Sequence, residues 1–75
     1  MTDEQKILYE SILNRFGTVL LTKYQMSEIC NISTKTLDRH RESGKGCEWR
    51  YEGGRIYYPL HKVVKFLDRF NKTNY

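Results

Sequence analysis

The stretch "KYQMSEICNISTKTLDRH", residues 23–40, decides how this chain is read. Its first eight residues put Met26, Ile29 and Cys30 on one side of a short helix, and Thr22 just before them is an N-cap residue. Asn31 comes next, and asparagine is the non-glycine residue most at ease in the left-handed conformation that ends a helix. Ile32 is apolar, and Ser33 caps a second helix expected over residues 34–44, with Gly44 as its stop. Two short helices joined by a three-residue turn make a helix-turn-helix. Ser27 is the small side chain needed where the helices cross, and Met26, Cys30, Ile32 and Leu37 are placed to lock both to a core. His40 departs from the pattern, since a bulky apolar residue is expected there. We expect its ring to turn inward and pack against the segment that follows, beside Trp49.

With Leu37 and His40 inward, the second helix shows Thr34, Lys35, Asp38, Arg39 and Glu42 on its outer face. That face reads as a solvated surface or as a working one. Short hydroxyls and a lysine at the start of a helix reach phosphates and base edges in a major groove. Arg39 is the candidate reader of guanine, because its planar fork matches O6 and N7 together. Asp38 accepts from cytosine N4 or orients Arg39 or Lys35, and Ser33 with the helix N-terminus meets phosphate.

Outward from this core, residues 47–52, "CEWRYE", alternate between an apolar set (Cys47, Trp49, Tyr51) and a charged one (Glu48, Arg50, Glu52). "GG" at 53–54 fits a two-residue turn with positive φ, and "RIYY" returns with Ile56 and Tyr58 on one face. A helix-turn-helix followed by such a hairpin is a winged helix-turn-helix. Gly54 and Arg55 form the tip of the wing, and an arginine there suits the concentrated negative potential of a narrow minor groove. Lys23, Arg50 and Tyr57 are expected as further backbone contacts.

Upstream, residues 3–16 read as a helix with Thr2 or Asp3 as cap, Tyr9, Ile12, Leu13 and Phe16 on its buried face, and Gly17 as stop. Residues 18–21 are a short extended run. Downstream, Pro59 opens a closing helix expected over 59–71 with a stripe of Val63, Phe66, Leu67 and Phe70, and "KTNY" at the end is expected to fray. Lys62, Lys65, Arg69 and Lys72 lie opposite the stripe and read as solubilising. The expected class is α+β, mainly helical, in one domain over 1–75: an added helix at 3–16, a helix-turn-helix at 22–44, a two-stranded wing at 47–58 and the closing helix.

Charge follows the same division. Of the 75 residues, the first 32 hold three basic and four acidic side chains, whereas the rest hold ten and five, so the net +4 is concentrated from the second helix onward. This asymmetry points to an anionic partner, with double-stranded DNA the first expectation. A protein-interaction module is the second, because Asp38, Glu42, Glu48 and Glu52 interrupt the positive surface. Single-stranded DNA or RNA is third, with exposed tyrosines such as Tyr57 as stacking surfaces. Catalysis is not expected: there is no Ser-His-Asp order, no phosphate-cradling glycine loop and no paired carboxylates. Cys30 and Cys47 stand 17 residues apart with no C-x-x-C pair, so free, partly buried thiols are expected rather than a metal site, and no cofactor. No apolar run has the length of a signal peptide or membrane span, which leads us to expect a cytoplasmic, nucleoid-associated protein.

"LLTKYQMSEICNISTKTLDRHRESGK", then "WRYEGGRIYYP", then the apolar-striped helix, resembles the excisionase and MerR-like small winged-helix proteins over residues 19–70. In that group an extended lead-in precedes the first helix, the wing often carries a Gly-Gly-Arg tip, and a closing helix packs behind. The helix at 3–16 and His40 depart from the pattern. The resemblance implies a DNA-bending accessory factor of a phage or other mobile element, binding repeated sites cooperatively and contacting an integrase or recombinase. The alternative within the group is a small transcriptional regulator. A MerR-type effector sensor is disfavoured, since the chain ends before a long dimerising helix.

Overall fold

The computed structural model describes residues 1–73, with side chains through Arg69. It is an α+β fold, mainly helical, with the order α1 (Asp3–Phe16), β1 (Leu20–Thr22), α2 (Lys23–Cys30), α3 (Thr34–Glu42), β2 (Arg50–Glu52), β3 (Arg55–Pro59) and α4 (Leu60–Thr73).

Local chemistry sets the helix boundaries. Thr2 and Thr22 each cap a helix through a reciprocal box: the threonine Oγ1 accepts from the backbone of Gln5 or Gln25, and that glutamine accepts from the cap backbone. Gly17 ends α1 at φ 68°, and Asn31 ends α2 at φ 55°, ψ 42°, in the left-handed region expected for it. Between α2 and α3 the Ser27 hydroxyl donates to the Ile32 carbonyl, and the Ile32 amide donates back to the Ser27 carbonyl at 3.2 Å. A small hydroxyl at 27 therefore closes the turn as well as leaving room for it. Helix α3 is shorter than expected. It ends at Glu42 with Ser43 as cap, and Gly44 at φ 76° lies beyond it. Gly44 is still the stop, one residue past the Ser43 cap. In its left-handed conformation the Gly44 amide donates to the Arg41 carbonyl at 3.2 Å and the Lys45 amide to the His40 carbonyl at 3.0 Å, and the Ser43 hydroxyl also donates to the His40 carbonyl.

The hairpin is joined by a strand that the sequence reading leaves as an extended run. The antiparallel sheet has order β1-β3-β2, so the hairpin is two strands of three. Leu21 lies opposite Tyr58, and Tyr51 opposite Ile56. Its outer arm is also shorter than expected: β2 begins at Arg50, and Cys47 to Trp49 approach it without ladder pairing. Gly53 and Gly54, at φ 55° and 80°, turn the chain back as the primed type requires. Pro59 is the last residue of β3, where its missing amide costs no ladder bond, and the Leu60 amide donates to the Val19 carbonyl at 2.8 Å. The closing helix thus starts at Leu60 and not at Pro59.

Leu21, Met26, Tyr58, Leu60, Val63 and Val64 form the buried centre, with Ile12 from α1 and Leu37 from α3 at its borders. Each fully buried aliphatic side chain contributes about 1.5–3 kcal/mol relative to exposure. Phe66 and Leu67 of the expected stripe are half-buried, and Val64 joins it as a fully buried member. Helix α4 runs to Thr73, so residues 72 and 73 of "KTNY" continue the helix past its expected end at 71. Residues 74 and 75, and the side chains of Phe70 and Lys72, lie outside what is described. Helix α1 packs on α4, and Gln5 donates to Asp68 across that contact at 3.0 Å. Among the described residues no helix is long and apolar enough to cross a membrane.

Candidate nucleic-acid interface

Helix α3 presents its start and one face to solvent. The Ser33 hydroxyl accepts from the Thr36 amide at 3.1 Å and lies 2.9 Å from the Thr36 hydroxyl, so the cap is made within the helix and Ser33 stays exposed. Thr34 is half-buried. Lys35 and Arg39, four apart and so on one face, are exposed and have no carboxylate partner among the described residues.

Asp38 is placed differently from the expectation that it faces outward and orients Arg39 or Lys35. Its carboxylate is 2.8 Å from Arg41 and 3.7 Å from Lys23. Asp38 Oδ1 and Arg41 Nη1 are sealed from solvent, and each answers the other's charge. The hydrogen bond from Arg41, assisted by Lys23, holds the Asp38 carboxyl below the usual carboxylate range. The Arg41 guanidinium also lies 5.6 Å from the centre of the Trp49 ring and faces the Tyr58 hydroxyl. Asp38 thus ties α3 to α2 through Lys23, and Arg41 ties it to β3 and to the approach of the hairpin. Lys23, expected at the nucleic-acid backbone, is half-buried in this network and rests against the Tyr24 ring at 5.7 Å.

The same arrangement corrects the reading of His40. It is exposed, and Arg41, one position later and four after Leu37, takes the inward place beside Trp49. The cause is geometric: at i+3 from Asp38 and i+4 from Leu37, position 41 meets both a carboxylate and an aromatic ring, which satisfy a guanidinium better than an imidazole. The following loop crosses close over His40. A Cβ at Gly46 would sit 3.2 Å from the His40 Cβ, and the Lys45 amide donates to the His40 carbonyl at 3.0 Å.

At the hairpin, Arg50 pairs with Glu52 at 3.2 Å on the exposed outer strand, while Arg55 beside Gly54 is exposed with no partner among the described residues. Tyr57 is half-buried between Thr22 and Arg50, with less ring surface on offer than an open stacking platform has. Glu48 pairs with Lys62 of α4 at 2.9 Å, and that contact holds its carboxyl below the usual range. Of the four acids that interrupt the positive surface, Asp38, Glu48 and Glu52 are thus already matched to cations. On this side of the molecule, Lys35, Arg39 and Lys45 at α3 and its following loop, and Arg55 at the hairpin tip, have no carboxylate partner among the described residues; Lys6 of α1 and Lys65 of α4 are likewise in no ion pair there.

Arg41 and Trp49 organise this surface, and the sequence reading missed them in that role. The i, i+3 spacing of Asp38 and Arg41 on one helix was the available signal. Both thiols are half-buried; burial raises Cys30 above its ordinary value and pushes Cys47 up to about 12. Neither is an activated nucleophile. Among the described residues no group of three or more His, Cys, Asp or Glu side chains is arranged to hold a metal ion. Compared with family models, with curated proteins and with solved structures, the chain matches none.

Proposed function

We propose that this protein is a winged helix-turn-helix, sequence-specific double-stranded DNA-binding protein without catalytic activity. The observation that carries the reading is the segregation of charge. Of the four acids near this surface, Asp38 is matched to Arg41 and Lys23, Glu48 to Lys62 and Glu52 to Arg50, with only Glu42 outside an ion pair among the described residues. Lys35, Arg39, Lys45 and Arg55, on α3, its following loop and the hairpin tip, have no carboxylate partner there. In this reading α3 is the recognition helix. Thr34, Lys35 and Arg39 enter the major groove, Arg39 reads guanine, and Ser33 with the helix N-terminus meets phosphate. Arg55, set on a two-glycine turn, follows the minor groove by its width. Asp38 positions the helix by its pairs with Lys23 and Arg41, and Arg50 and Tyr57 flank the wing.

The resemblance over residues 19–70 supports an excisionase-like role: a mobile-element accessory factor that bends attachment-site DNA and works with an integrase. A small transcriptional regulator is the alternative on the same surface. Selection from a random duplex pool at near-physiological salt, followed by sequencing, tests both. Enriched direct repeats support the cooperative, bending factor, and an inverted repeat supports a dimeric regulator. Retention without any enriched sequence contradicts specific recognition.

A further inference from the structure

Behind α3 lies a partly open cavity of about 380 Å³, bounded by α2, the loop after α3, Tyr58 of β3 and the Phe66–Leu67 turn of α4, with the exposed His40 and Lys45 on its lining. That volume falls in the range of small-molecule sites, roughly 300–1,000 Å³. It is large for a chain whose buried centre is eight side chains. The walls are apolar: Met26, Ile29, Ile32 and Leu37, with the Cys30 and Cys47 thiols, which burial keeps protonated. The polar groups are of one sign or neutral. His40, Arg41 and Lys45 line it, and among the described residues no Asp or Glu does. Arg41 is committed to Asp38, and Glu48 near the loop is committed to Lys62. Lys45 has no carboxylate partner among the described residues. The loop that carries it is stitched to the end of α3 by the bonds to the His40 carbonyl and by the close approach of Gly46, so the backbone of this exposed lysine is held at the wall. An empty apolar space of this size forfeits packing that an apolar body restores.

We propose that this cavity binds a small amphipathic anion, an apolar chain or ring bearing one carboxylate or a comparable head, with the head at Lys45 and His40. The site shares Lys45 with the unmatched cations named above but includes none of Lys35, Arg39 and Arg55. Leu37 and His40 belong to both the cavity wall and α3, so, if the DNA-binding reading holds, occupancy and duplex binding affect each other's affinity by the same factor.

The test uses the full chain and decanoate, with decanol as its uncharged counterpart, followed by amide chemical shifts and by the melting temperature. We expect saturable one-to-one shifts at residues 26–32, 37–41 and 45–47, and a melting temperature that climbs with decanoate concentration. Lys45→Glu, at an exposed position, should weaken decanoate about tenfold and leave decanol unchanged. Ile29→Trp, which fills the space, should abolish both, and its cooperative melting shows whether it has folded. Absence of saturable shifts, or equal decanoate affinity in the wild type and Lys45→Glu, overturns the proposal. So do shifts at the same residues that depend on protein concentration without ligand, because the cavity is then covered by a second copy. None of these readouts involves DNA, so failure here is distinct from failure of the DNA-binding reading.

Discussion

Helices α4 and α3 are held in place by different means. Helix α4 buries Leu60, Val63 and Val64 completely, and its position follows from the apolar area it removes from water. Helix α3 buries Leu37 alone. Its position depends on the Ser33 cap, the left-handed Asn31 before it and the Asp38–Arg41–Trp49 contact. A helix that draws so little from burial has most of its surface free for something else. Lys35, Arg39, Lys45 and Arg55, on that helix, the loop after it and the hairpin tip, have no carboxylate partner among the described residues, while Asp38 is occupied with holding the helix down.

The contrast can be broken or sharpened by substitution. Leu60→Ala should cost ~2–5 kcal/mol of stability and leave the duplex affinity of the folded fraction unchanged. Chemical denaturation and a binding titration on the same sample check both halves of that statement. Arg39→Ala should do the reverse: ~1–3 kcal/mol of duplex affinity with relaxed preference at one base position, and an unchanged denaturation midpoint. Asn31→Ala forces an alanine into the left-handed region at φ 55° and should cost roughly 1–2 kcal/mol of stability. Ser33→Ala should cost ~1 kcal/mol through the lost cap, and a melting curve measures it.

The smallest effect is one of pH. The Asp38 carboxyl is held below its ordinary value in the folded chain, so its contribution is present above that ordinary value, about 4. It is lost as pH falls through the lowered folded value. The stability gap between the wild type and Asp38→Asn should therefore be widest near neutrality and narrow in acid. Urea midpoints at pH 7 and pH 3 read it directly.

Local signals carried much of the architecture. Thr22, Asn31, Ser33 and the glycine pair at 53–54 each act through their own backbone, so single residues announce the caps and turns they make. Pairing across distance left weaker marks. The short run at Leu20–Thr22 has little to show that it joins β3, because three residues hold barely one alternation. The outer arm of the hairpin alternates cleanly from Cys47, yet ladder pairing starts only at Arg50. At the candidate interface, Lys35, Arg39 and Arg55 were legible as exposed cations. The choice between His40 and Arg41 for the inward place was not. It depends on Trp49 and Tyr58, which reach α3 only through the tertiary fold.

The central claim is that the unmatched cations of α3 and the hairpin tip meet a duplex. The most direct test is the salt dependence of affinity for one selected duplex, compared between the wild type and Arg55→Ala. Each phosphate neutralised contributes about −0.9 to the slope of log affinity against log salt. The account predicts a steep wild-type slope that is shallower by about one in Arg55→Ala. Identical slopes in the two proteins, or affinity indifferent to salt in both, would contradict it.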